Sequence, residues 1–129
     1  MIQATATLGT TDYEMNVQVN AHTLIADEPA TNGGQDKGPN PKEYLCVALA
    51  SCTTATLKMY CNHKKLVLNK LTVEVELVIT EDKKNIFKRK IHIEGALDET
   101  QRERLVQIAN NCPVHKILAQ ANTLETGLV

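Results

Sequence analysis

Aromatic residues are scarce in this chain: three Tyr, one Phe and no Trp among 129 residues. A core must therefore be assembled from Leu, Val, Ile, Ala and Met, and a hydrophobic share of 43% supplies enough of them for a globular protein rather than a disordered one. Charge of either sign is not in excess, since the net is −1, which argues against a partner bound by neutralising many phosphates. The one basic run, Lys83-Lys84 with Lys88-Arg89-Lys90, reads as a solvated turn and strand edge. No serine elbow, phosphate-binding glycine loop or dinucleotide fingerprint is found, and no cofactor is expected. Met1–Thr7 has neither a basic start nor a continuous apolar stretch, so no signal peptide is expected and the protein is placed in the cytoplasm, away from membranes and nucleic acid. The length suits one domain, residues 1–129.

The stretch that organises the rest runs from Gly38 to Tyr60. Asn40 is placed to cap a helix, Pro41 suits its first position, and Glu43 is placed to reach back to the capping residue. No charge occurs between Tyr44 and Ala50, and Leu45, Leu49, Cys52, Thr56 and Met59 recur at three- and four-residue steps. This predicts a long buried central helix, bracketed by Lys42, Glu43 and Lys58 and too short in its uncharged part to span a bilayer.

Before it, Ile2–Leu8 and Tyr13–Val19 alternate around a Gly9–Asp12 turn, and His22–Ala26 adds a third strand ahead of the loop 27–38. After it, Leu71–Thr80 and Phe87–Ile93 form a second hairpin. Asp98 with Gln101 opens a helix whose stripe is Leu105, Ile108, Ala109 and Cys112; Pro113 ends it and starts a short helix, and Thr123–Leu128 closes as a strand. The expected class is α+β, in the order βββ-α-ββ-αα-β.

Four cysteines without a secretory context are expected to be reduced. Cys46 and Cys52 stand about 9 Å apart along a helix axis, beyond the usual reach of a disulfide. Cys61 falls on the opposite side of the helix from Cys52, whereas Cys52 and Cys112 lie on the apolar stripes of their own helices, so the fold could bring them together. A reactive thiol needs a cation or a helix N-terminus. Cys52, in mid-helix, needs a cation from elsewhere; Arg89, the single charge on the Phe87–Ile91–Ile93 face, offers one, with a solvent-reaching stem as the alternative. Cys112 would be activated more simply, by the helix beginning at Pro113. Glu43 is fully explained as a capping residue. Cys112 and His115 have a ligand-like spacing but no second pair, so no metal is expected. His22, His63 and His92 read as surface or strand residues.

Gly38-Pro39-Asn40-Pro41 leading to Ala50-Ser51-Cys52, then Glu94-Gly95 and Asn111-Cys112-Pro113-Val114-His115, resembles the OsmC/Ohr family of osmotically induced and organic hydroperoxide resistance proteins over nearly the whole chain. The resemblance implies an OsmC-like fold made as an intertwined homodimer with active sites at the subunit interface. It implies a thiol peroxidase in which Cys52 attacks an organic hydroperoxide, becomes a sulfenic acid and condenses with Cys112, an external dithiol reducing the disulfide. Two positions depart from the family pattern. Lys42 follows Asn-Pro where the family has its glutamate, with Glu43 one place on, and there is no arginine before Arg89. Arg89 or Lys42 is then the candidate cation, and the candidate catalytic set is Cys52, Cys112, Glu43 and Arg89. A binding module for a small molecule or acyl thiol, a redox sensor without turnover, and a structural dimer with inert thiols are the other readings.

Overall fold

The computed structural model describes residues 1–129, which divide into two compact units, Met1–Leu45 and Cys46–Val129. In the first, β1 (Thr5–Leu8), β2 (Met15–Val19) and β3 (His22–Ala26) form an antiparallel sheet in sequence order. Val19 pairs with His22 across a two-residue turn, where Asn20 takes a positive φ of 53°, a conformation its short polar side chain tolerates. The loop that follows is tied around Asp27. This fully buried carboxylate accepts the backbone N–H groups of Glu28 (2.8 Å), Gln35 (3.3 Å) and Lys37 (3.1 Å). Burial alone would raise its pKa, but those three N–H groups and the Lys37 charge outweigh it and hold the carboxyl below its ordinary value. The Tyr44 hydroxyl donates to the Ile25 carbonyl at 2.5 Å.

Helix α1 (Pro41–His63) starts with the Asn40 side chain accepting the Glu43 N–H at 2.9 Å, but the expected return bond from the Asn40 N–H to the Glu43 carboxylate is not formed. Its buried stripe is Leu49, Thr53, Leu57 and Cys61, a run of four-residue steps. The sequence pattern points instead to Leu45, Leu49, Cys52, Thr56 and Met59, of which only Leu49 is buried; Leu45, Val47 and Met59 are exposed. The central helix is thus half buried within this chain. A segment uncharged on every side has no polar face to mark its inner side, and the packing of its neighbours decides it instead.

In the second unit β4 (Lys70–Ile79) and β5 (Asn85–Glu94) pair antiparallel, with Leu71↔Ile93, Val73↔Ile91, Val75↔Arg89 and Leu77↔Phe87 on the inner face. Helix α2 (Glu99–Ala109) opens on a complete capping box between Asp98 and Gln101. Leu57 and Cys61 of α1 join Leu105, Ile108 and Ala109 of α2 in the core, covered by Leu71, Ile91 and Ile93 of the hairpin. Arg102 locks the passage from β5 to α2 by donating to the carbonyls of Ile93 (2.9 Å), Gly95 (3.1 Å) and Leu97 (3.2 Å). At Gly95 a Cβ would sit 2.8 Å from the Val67 carbonyl oxygen, so the close approach of two backbones requires glycine there. Helix α3 (Pro113–Leu118) follows with Cys112 as its N-cap residue and Pro113 at its first position.

The expected closing strand over Thr123–Leu128 is not formed; residues 121–129 carry no regular element and Leu124 and Leu128 are exposed. A strand exists only by pairing, and no edge within this chain takes this segment up. The element order is βββ-α-ββ-αα, an α+β architecture. No helix is long and apolar enough to cross a membrane.

Candidate functional site

Arg89 stands inside β5, and the alternation of that strand turns it to the inner face between Phe87 and Ile91. Its guanidinium does not reach away to water. Nη1 donates to Thr53 Oγ1 of α1 at 3.0 Å, and Nη2 donates to Asn110 Oδ1 at 3.0 Å and to His115 Nδ1 at 3.2 Å. Three separate elements therefore aim acceptors at one cation. None of them is a carboxylate: the ion pairs of the chain are Lys84–Asp82 and His92–Glu74. Burial lowers the pKa of Arg89, an effect countered in part by attraction to a Cys112 thiolate.

Cys52 and Cys112 meet at this cluster. Both are free thiols, Cys52 half buried and Cys112 with no exposure at all. The Cys52 thiol is pushed up by burial and by a hydrogen bond and charge repulsion that favour a thiolate on Cys112. Burial also opposes ionisation of Cys112, but there it is outweighed. The neighbouring Cys52 and Thr53 side chains and the backbone of His115 and Val114 at the start of α3 favour its thiolate, and its pKa falls below the usual thiol value. The Thr53 hydroxyl donates to the Leu49 carbonyl at 2.7 Å while accepting from Arg89. Of the two thiols, Cys112, at the start of α3, is the one whose pKa is lowered, and Cys52 the one whose pKa is raised.

A cavity of about 160 Å3 adjoins the cluster, lined by Leu49, Phe87, Arg89, His115, Leu118 and Ala119. Its walls are apolar except where Arg89 and His115 enter. Cys112 and His115 are not joined by a third side chain suited to holding a metal ion.

The structure thus brings together three of the four candidate residues, Cys52, Cys112 and Arg89. Glu43 lies exposed in the first turn of α1, within the N-terminal unit, and Lys42 beside it is also exposed. Cys61 is core filler, and His22, His63 and His92 are exposed. Thr53 and Asn110 are the site residues that the sequence does not disclose. Each is an ordinary helix residue or helix end until Arg89, 36 and 21 positions away, is folded against it.

Fold and site together define an α+β protein in which two of four free cysteines, Cys52 and Cys112, lie near an inward-facing arginine. The chain belongs to the OsmC-like protein family, whose model matches residues 34–127. Among solved structures it is similar to an OsmC-like protein from Mycoplasma pneumoniae, at 23% identity and a TM-score of 0.78 over 92% of this chain and 87% of that one. It is similar to a putative osmotic stress induced and detoxification response protein from Psychrobacter arcticus 273-4, at 21% identity and a TM-score of 0.78 over 91% and 88%. A third is an organic hydroperoxide resistance protein OsmC, also described as a predicted redox protein and regulator of sulfide bond formation, from Legionella pneumophila; there the identity is 25% and the TM-score 0.66 over 92% and 88%. A comparison with curated proteins finds no match.

Proposed function

We propose that this protein reduces organic hydroperoxides through the Cys52–Cys112 pair. The observation that carries the reading is the placing of two free thiols next to an arginine whose hydrogen-bond partners, Thr53, Asn110 and His115, include no carboxylate. The chain's similarity to proteins described as organic hydroperoxide resistance proteins supports the same chemistry. Cys52 is the sulfur of the pair that solvent reaches, and a proton passed from Cys52 to a Cys112 thiolate would move the charge onto it. Cys52 then attacks the peroxide and becomes a sulfenic acid, Cys112 condenses with it, and an external dithiol reduces the disulfide. Arg89 is the cation of the site. The apolar cavity suits an alkyl or lipid-like substituent.

A homodimer is part of the proposal. The apolar residues Leu45, Val47 and Met59 exposed on α1, and a tail exposing Leu124 and Leu128, support it. Light scattering of the purified chain tests this separately from the chemistry.

The test of the chemistry is to mix the reduced protein with a slight excess of cumene hydroperoxide and follow thiol count and intact mass. Rapid loss of two thiols, a Cys52–Cys112 disulfide, and a sulfenic acid trapped in Cys112→Ser but absent from Cys52→Ser are expected. A sulfenic acid trapped only in Cys52→Ser would reverse the roles of the two sulfurs. Thiols no more reactive than free cysteine would overturn the enzyme reading and favour a binding module built on the cavity.

A further inference from the structure

We infer that His115 is the acid that protonates the oxygen leaving the hydroperoxide, a role that rests on the peroxidase reading and extends it. An arginine side chain only donates hydrogen bonds, so His115 Nδ1, 3.2 Å from Arg89 Nη2, is the acceptor. A neutral imidazole whose Nδ1 is bare carries its proton on Nε2. The contact with Arg89 thus selects the tautomer. It also strengthens the donor, because a cation at Nδ1 draws electron density from the ring and polarises the Nε2–H bond.

His115 is also the residue that links the sulfur pair to the cavity. It lies three residues after Cys112, in the first turn of α3, while its side chain forms the polar part of the cavity wall together with Arg89. A hydroperoxide with its alkyl group against Leu49, Phe87 and Leu118 turns its O–O end toward that polar wall. The thiolate attacks the terminal oxygen, a sulfur–oxygen bond forms and the O–O bond breaks with its electron pair on the alkoxide. Sulfur loses two electrons and the peroxide gains them. The alkoxide takes the Nε2 proton and leaves as the alcohol; the imidazolate left behind, with the Arg89 guanidinium at its Nδ1, recovers a proton from water and releases hydroxide. The second thiol then condenses with the sulfenic acid and releases water, closing the balance. Alkoxides are strongly basic leaving groups, so an acid at this point acts on the O–O cleavage step itself.

The experiment compares peroxides whose leaving groups differ in basicity. Rates of thiol oxidation are measured by stopped flow with tert-butyl hydroperoxide, cumene hydroperoxide and peracetic acid, on the reduced full chain and on His115→Phe and His115→Gln. The Phe variant keeps an aromatic ring without its nitrogens; the Gln variant keeps an oxygen acceptor for Arg89 without an acid. Both are expected to lose ~100-fold on the two alkyl hydroperoxides and far less on peracetic acid, whose carboxylate departs without a proton. Equal slowing on all three peroxides, as a purely structural role or a damaged fold would give, overturns the inference, as does no slowing. If the unaltered chain reacts with none of the three, the peroxidase reading falls first and takes this inference with it.

Discussion

Asp27 and Arg89 are charges that the two compact units draw in from water, and their partners are of opposite kinds. Around Asp27 every donor is a backbone N–H, supplied by the loop the carboxylate itself closes. The charge is consumed in holding residues 28–37 in shape. Around Arg89 the acceptors are a hydroxyl, an amide and an imidazole, all neutral. Three of its five N–H donors are engaged in this way and its charge is not matched; the group most able to match it is a sulfur that becomes negative. A buried ion satisfied by backbone dipoles builds structure; one held by neutral side chains is left to act on an anion.

The contrast breaks most sharply at Arg89 itself. In Arg89→Leu the rate of thiol oxidation by cumene hydroperoxide should fall ~100-fold, the size of effect seen when one donor to a developing charge is removed. The pH midpoint for alkylation of the acidic thiol should rise in the same variant, since the thiolate has lost its cation. A rate and midpoint unchanged from the parent would make Arg89 a structural ion like Asp27.

Asp27→Ala should do the reverse, loosening the 27–38 loop to limited proteolysis while the thiol midpoint stays in place. The sign of its pH dependence follows from the lowered carboxyl. Its contribution to stability is complete above the unfolded-state pKa of about 3.9 and is lost as the pH falls through the lower folded-state value. Urea denaturation of Asp27→Asn between neutral and acid pH should lack that part of the acid loss.

Arg102 sharpens the comparison from within the C-terminal unit, because there the guanidinium is engaged by three backbone carbonyls. Arg102→Ala should cost about 2 kcal/mol in equilibrium unfolding, with the thiol chemistry retained. Smallest is Asn40→Ala, the loss of one helix cap, at about 1 kcal/mol by the same measurement.

Local chemistry made much of this legible before folding. Asp98 with Gln101 announced α2, and the alternation of β4 and β5 put Arg89 on the inner face. The stripe ending in Cys112 was readable because α2 has charged residues to mark its outer side. Helix α1 has almost none, so its buried side was misplaced by one residue at Thr53 and Leu57. The tail pattern promised a strand whose partner no local signal could name. Thr53, Asn110 and Asp27 were silent for another reason: each is defined by what it bonds to, and a hydroxyl, an amide or a carboxylate shows no pattern of its own.

Arg89 without a carboxylate also bears on electrons. In the reduced chain the arginine and the start of α3 favour negative charge on the Cys112 sulfur. Joining that sulfur to Cys52 would remove the charge and leave the donors in place. Groups that favour the thiolate would to that extent disfavour a disulfide, so that an incoming dithiol would open such a bond more readily.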